Sequence, residues 1–439
     1  MKNFTKNHKP LTSHLSPLTS YLFLLSAFCL PTLLFAQNFN TYFENKTLRL
    51  DYLHVGDVKH ESIEPVAFWQ GGVWSGTLSQ LIEPARLGEM VLTVKDAQNN
   101  TPIYTRSYST LFGEWVTTEN AETETGKFEE SIQMPYPKVP VKYEFTVFNR
   151  SNQSTFLYEG VFDPQTTLQK PFEKEYVVLE LHIGGEPEKC LDILFIPDGY
   201  AETDRLKLHQ DMRNFAGYIL KCSPFAENLD KINIRAIEGY SEESGITDPN
   251  AEIYKKTLIN SSYNTIEVDR YLMCLNVWKL NEIADDAPHD AILIICNSEK
   301  YGGGGIYNFY ATVNSNGEYS DYVVVHEFGH SIVGLGDEYF TSEVSVRDFY
   351  PEGVEPVEPN LTTLIEFDKK WEYLLQTDQV PTPDTDEYNN IVGVFEGGGY
   401  VAKGVYRPWR DCTMKEKVYN GFCPVCKKAF MEVFNYYSK

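Results

Sequence analysis

Basic residues are scarce in this 439-residue chain, where 38 lysines and arginines stand against 62 aspartates and glutamates for a formal charge of −24. A surface this acidic repels phosphate backbones, which excludes nucleic acid as a partner. Phosphate-cradling loops are missing too: no GxGxxG spacing occurs, and no lysine with serine or threonine follows the four glycines at 302–305. Paired cysteine motifs are lacking as well. Cys423-Pro-Val-Cys426 has no second CxxC with which to complete a closed structural zinc site.

The apolar run from Tyr21 to Phe35 is interrupted by Ser26 and Pro31 and is followed by no stop-transfer pattern, so no retained transmembrane segment is expected. Lys2, Lys6 and Lys9 precede it and Ala36 suits cleavage, so residues 1–36 read as an export signal. The expected location is secreted, periplasmic or cell-surface. Phe28 stands where a lipoprotein signal carries a small residue, which makes lipid anchoring at Cys29 the lesser expectation. Losing three lysines and no acid with the signal deepens the charge to −27 and leaves seven cysteines. An odd number leaves at least one thiol unpaired. Aromatic content of 14% indicates large buried cores.

Residues 37–170 read as strands and turns. Val141, Tyr143, Phe145 and Val147 alternate with polar residues, and "MVLTVKDAQNNTPIYTRSYS" reads as two strands about a turn at Asp96 to Asn100. An all-β sandwich is expected there. From 171 to 439 strands alternate with helices: "CLDILFIPDGY", a helix carrying Leu208, Met212, Phe215 and Ile219, "INIRAI", a helix around 265–283, and "AILIIC". That order predicts an α/β layer structure with a largely parallel sheet. "IYNFYATV" is expected as one strand, after which Ser320 caps a helix running into His326.

In "HEFGHSIVGLGDEYF", residues 326–340, His326 and His330 share one helix face and can direct imidazole nitrogens at a single ion. Glu327, rotated about 100 degrees from His326, can reach a water on that ion and act as general base. Gly334 and Gly336 permit positive φ, so the chain can end the helix and turn back. Asp337 or Glu338 then arrives as a third ligand, leaving a fourth position for water.

The stretch resembles the metzincin metallopeptidases, whose pattern is HExxHxxGxxH/D with a methionine turn downstream. Here the form is HExxHxxxGxxD, one residue longer, and it is similar to the IgA-peptidase family of zinc metallopeptidases, peptidase family M64. "DILFIPDGY" at 192–200, "SEESGITDP" at 241–249, "EPNLTT" at 358–363, "FEGGGYVAKGVYRPWRDCTMK" at 395–415 and "FCPVCKKAF" at 422–430 carry the same resemblance over roughly residues 175–439. The resemblance implies a metzincin-like α/β catalytic domain over 171–439, Zn2+ on His326, His330 and Asp337, Glu327 as catalytic base and Met414 as the turn methionine. It also implies an N-terminal module and a protein or peptide substrate.

Other residues admit plainer roles. Tyr406 and Tyr419 are candidates to stabilise an oxyanion, Arg407 and Arg410 could clamp a substrate carboxylate but are expected to pair structurally, and Cys412, Cys423 and Cys426 lie close enough in sequence for a disulfide to hold the methionine turn. The functional expectation is an exported zinc endopeptidase. Its rivals are a surface binding protein with a structural metal and a zinc amidase acting on cell-wall peptides. Oligomeric state and natural substrate are not written in the sequence.

Overall fold

A computed structural model describes residues 38–340, 350–351, 353–417 and 421–439. The expected export signal lies outside them. The described residues belong to one compact unit, Gln37–Lys439.

Alternation of apolar and polar residues builds the N-terminal part. Gly126–Pro137, Phe43–Gly56, Glu61–Gln70 and Gln169–Lys170 line up in one four-stranded sheet; Pro102–Tyr108, Met90–Asp96, Val141–Phe148 and Ser154–Phe162 form a second. Leu48, Leu50 and Tyr52 of the first meet Leu92, Val94 and Phe145 of the second in one apolar core. Two short helices, Phe39–Tyr42 and Leu111–Trp115, accompany the sheets.

Beyond it lies a six-stranded sheet in the order Gly303–Ile306, Tyr310–Asn314, Ala291–Cys296, Leu191–Asp198, Ile232–Glu238 and Val177–Ile183. The four central strands are parallel and both edges antiparallel. Continuous apolar runs suit strands covered on both faces. Ile193, Phe195, Leu293 and Ile295 face the helices Arg205–Lys221, Ser320–Val333 and Pro424–Tyr437, while Leu194, Ile196, Ile292 and Ile294 face the helix Val277–Ala284. The whole is a mixed α/β, sheet-rich fold.

Two expectations are corrected. The helix anticipated around 265–283 is confined to Val277–Ala284, since Ser261–Ser262 and Met273–Cys274 pair as a small ladder before it. "IYNFYATV" is not one strand but spans a hairpin turn: Ile306 ends the edge strand Gly303–Ile306, and the chain returns antiparallel to it as Tyr310–Asn314. Glycine disfavours strands, yet a Cβ at Gly305 would stand 2.5 Å from the Glu327 carbonyl oxygen. Only bare backbone fits so close to the Ser320–Val333 helix.

The two parts share a polar interface. Arg49, fully buried, pairs with both Asp51 and Asp285; Ser75 Oγ donates to His289 O at 2.7 Å and Trp278 Nε1 to Glu130 O at 3.1 Å. Nearby, His54 is 1% exposed with Nδ1 3.0 Å from Glu130 and Nε2 2.8 Å from Glu61. Burial opposes charge on this ring, but the carboxylates outweigh it and lift it to about 9. A folded value above the ordinary one stabilises fully below about pH 6.5 and is lost as pH rises through about 9. Glu130→Gln should therefore destabilise by on the order of 1–3 kcal/mol below pH 6.5, with the difference from wild type narrowing toward pH 9. Urea unfolding across that range checks it, and a pH-independent difference would remove His54 as the cause.

Candidate metal centre

The helix Ser320–Val333 is apolar on most sides because the sheet and two other helices enclose it, with Val323, Val324, Phe328, Ile332 and Val333 all buried. A polar stripe along it carries Tyr322, His326 and His330, each a helical turn apart. The expected Ser320 cap is replaced by a clasp outside the helix, Ser320 Oγ donating to Asn314 O at 2.8 Å and accepting from Gly317 N at 3.0 Å.

Past His330 the helix ends on Gly334, whose φ of +66° is left-handed, with its N–H bonded to His330 O at 3.0 Å. Gly336, expected to share that conformation, lies outside the left-handed region. Its N–H and carbonyl are bracketed instead by Asn360, donor and acceptor at 2.8 Å each. The reversed chain delivers Asp337 back to the histidine stripe.

Three ligand atoms meet there. His326 Nε2 and His330 Nε2 are 3.2 Å apart, and Asp337 Oδ1 lies 3.2 Å from the first and 3.4 Å from the second. Nitrogen and oxygen atoms about 2.0–2.1 Å from one ion at tetrahedral angles stand about 3.3 Å from each other. Asp337 is 4% exposed and its Oδ1 has no hydrogen-bond partner, while Tyr400 Oη donates to Oδ2. The orphaned oxygen is aimed at the point the imidazoles face.

Each ring is oriented from behind. His326 Nδ1 donates to Thr413 O at 3.0 Å and His330 Nδ1 to Leu335 O at 2.7 Å, so both Nε2 lone pairs are free for an ion. Glu338, the alternative third ligand, turns its carboxylate away toward Asn360 and Cys426. Burial favours the neutral form of every one of these groups, yet His330 is lifted to about 9 by Asp337, and the two rings hold Asp337 well below the usual carboxylate range. The pocket favours positive charge where the three atoms converge.

Met414 is fully buried with its Sδ packed against Gly329, and neither residue lines the cleft. Its carbonyl accepts from Glu338 N at 2.8 Å. Glu327 opens into a cleft of about 700 Å³ lined also by Gly303, Gly304, Gly305, Tyr301 and Tyr400. Burial raises Glu327 above the ordinary carboxylate range, with His326 and His330 pulling it down. Glu114, from the N-terminal part, reaches the same cleft and accepts from Tyr271 Oη. A neighbouring cavity of about 850 Å³ shares Glu114, Arg270, Tyr271, Tyr350, Glu358 and Tyr400 with it but touches none of the histidine ligands.

Other candidates fall elsewhere. Tyr406 sits on a hairpin outside the cleft, bonded to Thr362, and Tyr419 lies outside the described residues. Arg407 and Arg410 both grip Asp384, each at 2.6 Å, so neither is available as a clamp. The three cysteines near the methionine turn are free thiols rather than a disulfide. Sequence reasoning passed over Tyr322, although its position four residues before His326 put it on the same stripe, and over Tyr400 and Asn360, which sit inside quoted segments with no local sign of their partners.

Residues 179–390 and 384–434 match the IgA Peptidase M64 family, and residues 38–159 match the Peptidase M64 N-terminus. Comparison with curated proteins found no match. With more than half of its length matched, and with a histidine–histidine–aspartate cluster beside a cleft glutamate, the chain belongs to the IgA Peptidase M64 family and is a peptidase.

Proposed function

We propose that this peptidase is an exported, zinc-dependent endopeptidase with a metzincin-like centre, acting on an extracellular protein. The observation that carries the reading is the triangle of His326, His330 and Asp337 atoms, 3.2 to 3.4 Å on a side, sized for Zn2+ and flanked by Glu327. A zinc ion held there acidifies water and polarises a carbonyl. The residues of the chain do the rest. Gly303–Gly305 line the cleft at the sheet edge; the 270–272 segment bridges that edge at Gly303, and an extended substrate adds as a further strand beyond the bridge, along Gly304–Ile306. This glycine edge replaces the longer strand expected from Ile306 to Val313. Glu327 takes the proton of the attacking water and passes it to the departing amine.

His326, His330 and Asp337 leave room for a fourth position, whereas a purely structural site is closed by protein ligands and needs no adjacent base. Export rests on the basic and apolar character of residues 1–36. Cleavage of a mixed peptide library with and without chelator tests the function. Chelator-sensitive cuts within peptides support it, and cutting confined to cell-wall peptides or absent altogether overturns it.

Glu327→Gln should retain the zinc content of the wild type while lowering turnover by about 10²–10⁴-fold, because only the proton carrier changes. Metal analysis and rate on one preparation check this, and near-normal turnover would take Glu327 out of the mechanism. Asp337→Ala should weaken cleft zinc affinity far more than Tyr400→Phe, for which a loss of about 10–100-fold is expected from a group that only orients the ligand. Zinc titration decides, with affinity falling further at low pH as the histidines protonate.

A further inference from the structure

The sequence holds one CxxC with no partner pair, but the fold brings its complement from elsewhere. Glu338, Cys412, Cys423 and Cys426 place their ligand atoms within 4.8 Å of one another, and none is more than 3% exposed. The Sγ atoms of Cys412 and Cys426 are 3.7 Å apart. Two sulfurs about 2.3 Å from one ion at a tetrahedral angle stand about 3.8 Å apart, whereas bonded sulfurs stand about 2.05 Å apart. Glu338 Oε1 lies 3.3 Å from Cys426 Sγ.

Independent features prepare these atoms for a cation. Cys423 N–H donates to Cys412 Sγ at 3.3 Å and Cys426 N–H to Cys423 Sγ at 3.4 Å, so two sulfurs receive backbone donors. Cys423 caps the 14-residue helix Pro424–Tyr437, whose N-terminal end favours thiolate. Asn360 Nδ2 holds Glu338 Oε1 at 2.9 Å, while Oε2 is buried with no hydrogen-bond partner. An unpartnered carboxylate oxygen beside three thiols is costly unless something positive joins them.

We infer that Glu338, Cys412, Cys423 and Cys426 form a second metal site, closed and structural, for a thiophilic divalent ion of the Zn2+ class. Four protein ligands leave no open position, and binding releases the thiol protons to solvent. The ion joins three segments: the residue after Asp337, the turn before Met414 and the start of the last helix. Since Glu338 N–H also donates to Met414 O at 2.8 Å, this site ties the Met414 turn and the loop that carries Asp337 into one unit.

The test uses the full chain with zinc and cobalt as probes. His326→Ala/His330→Ala removes the cleft ligands, and elemental analysis should find one zinc per chain remaining where the wild type holds two. Cobalt replacement in that variant should give an intense near-ultraviolet sulfur-to-cobalt charge-transfer band, which two imidazoles and a carboxylate cannot produce, and Cys412→Ser should abolish it. The histidine variant decides the matter even if the cysteine variant does not fold. A metal-free histidine variant, or a disulfide among the three cysteines in the wild type, overturns the inference. One zinc in both wild type and histidine variant, with the sulfur band present, supports the second site while sinking zinc in the cleft.

Discussion

Everything at the centre depends on the reversal of the chain at Gly334. A helix continuing straight past His330 would carry Asp337 about 10 Å along its axis, away from both imidazoles. The left-handed residue stops it, Asn360 clamps Gly336 on both sides, and Asp337 Oδ1 arrives within 3.4 Å of both Nε2 atoms. The same loop lends Leu335 O to orient His330, so reversal and ring orientation are one structure.

The second constraint comes from the turn around Met414. Thr413 O orients His326, Met414 O receives Glu338 N–H, and the methionine side chain fills the space behind Gly329. A buried polar network of this kind tolerates little displacement, because each lost partner leaves a desolvated group. Cys412 precedes the turn and Cys423 and Cys426 follow it, in contact with Glu338. The carboxylates of adjacent residues 337 and 338 therefore point into two different clusters.

The N-terminal part is more than an appendage to this frame. Its Glu114 holds Tyr271 in the cleft wall, and its Arg49 is buried against Asp285. Arg49 would keep Asp51 if the pair were separated, but Asp285 would lose its buried cation, so the interface resists sliding even though much of it is polar.

Periodic patterns made the strands from Leu191 to Cys296, the helix Arg205–Lys221 and the strand–turn–strand around Asp96 readable in advance, because burial on one or two faces writes itself into residue order. The i,i+4 histidines and the glycine after them marked the cluster of His326, His330 and Asp337 for the same local reason. The glycine edge strand was not readable, since its conformation follows from the approach of Glu327 backbone and from no preference of its own. Nor were the partners Tyr400, Asn360 and Thr413, which come from segments more than twenty residues away and meet the loop only after folding. By itself the sequence determined the spacing of donors along one helix and the point where that helix must stop. Tertiary structure decided which acid faces the histidines and which faces the cysteines, because Asp337 and Glu338 differ locally by one methylene and are separated only by what the rest of the chain packs on either side of them.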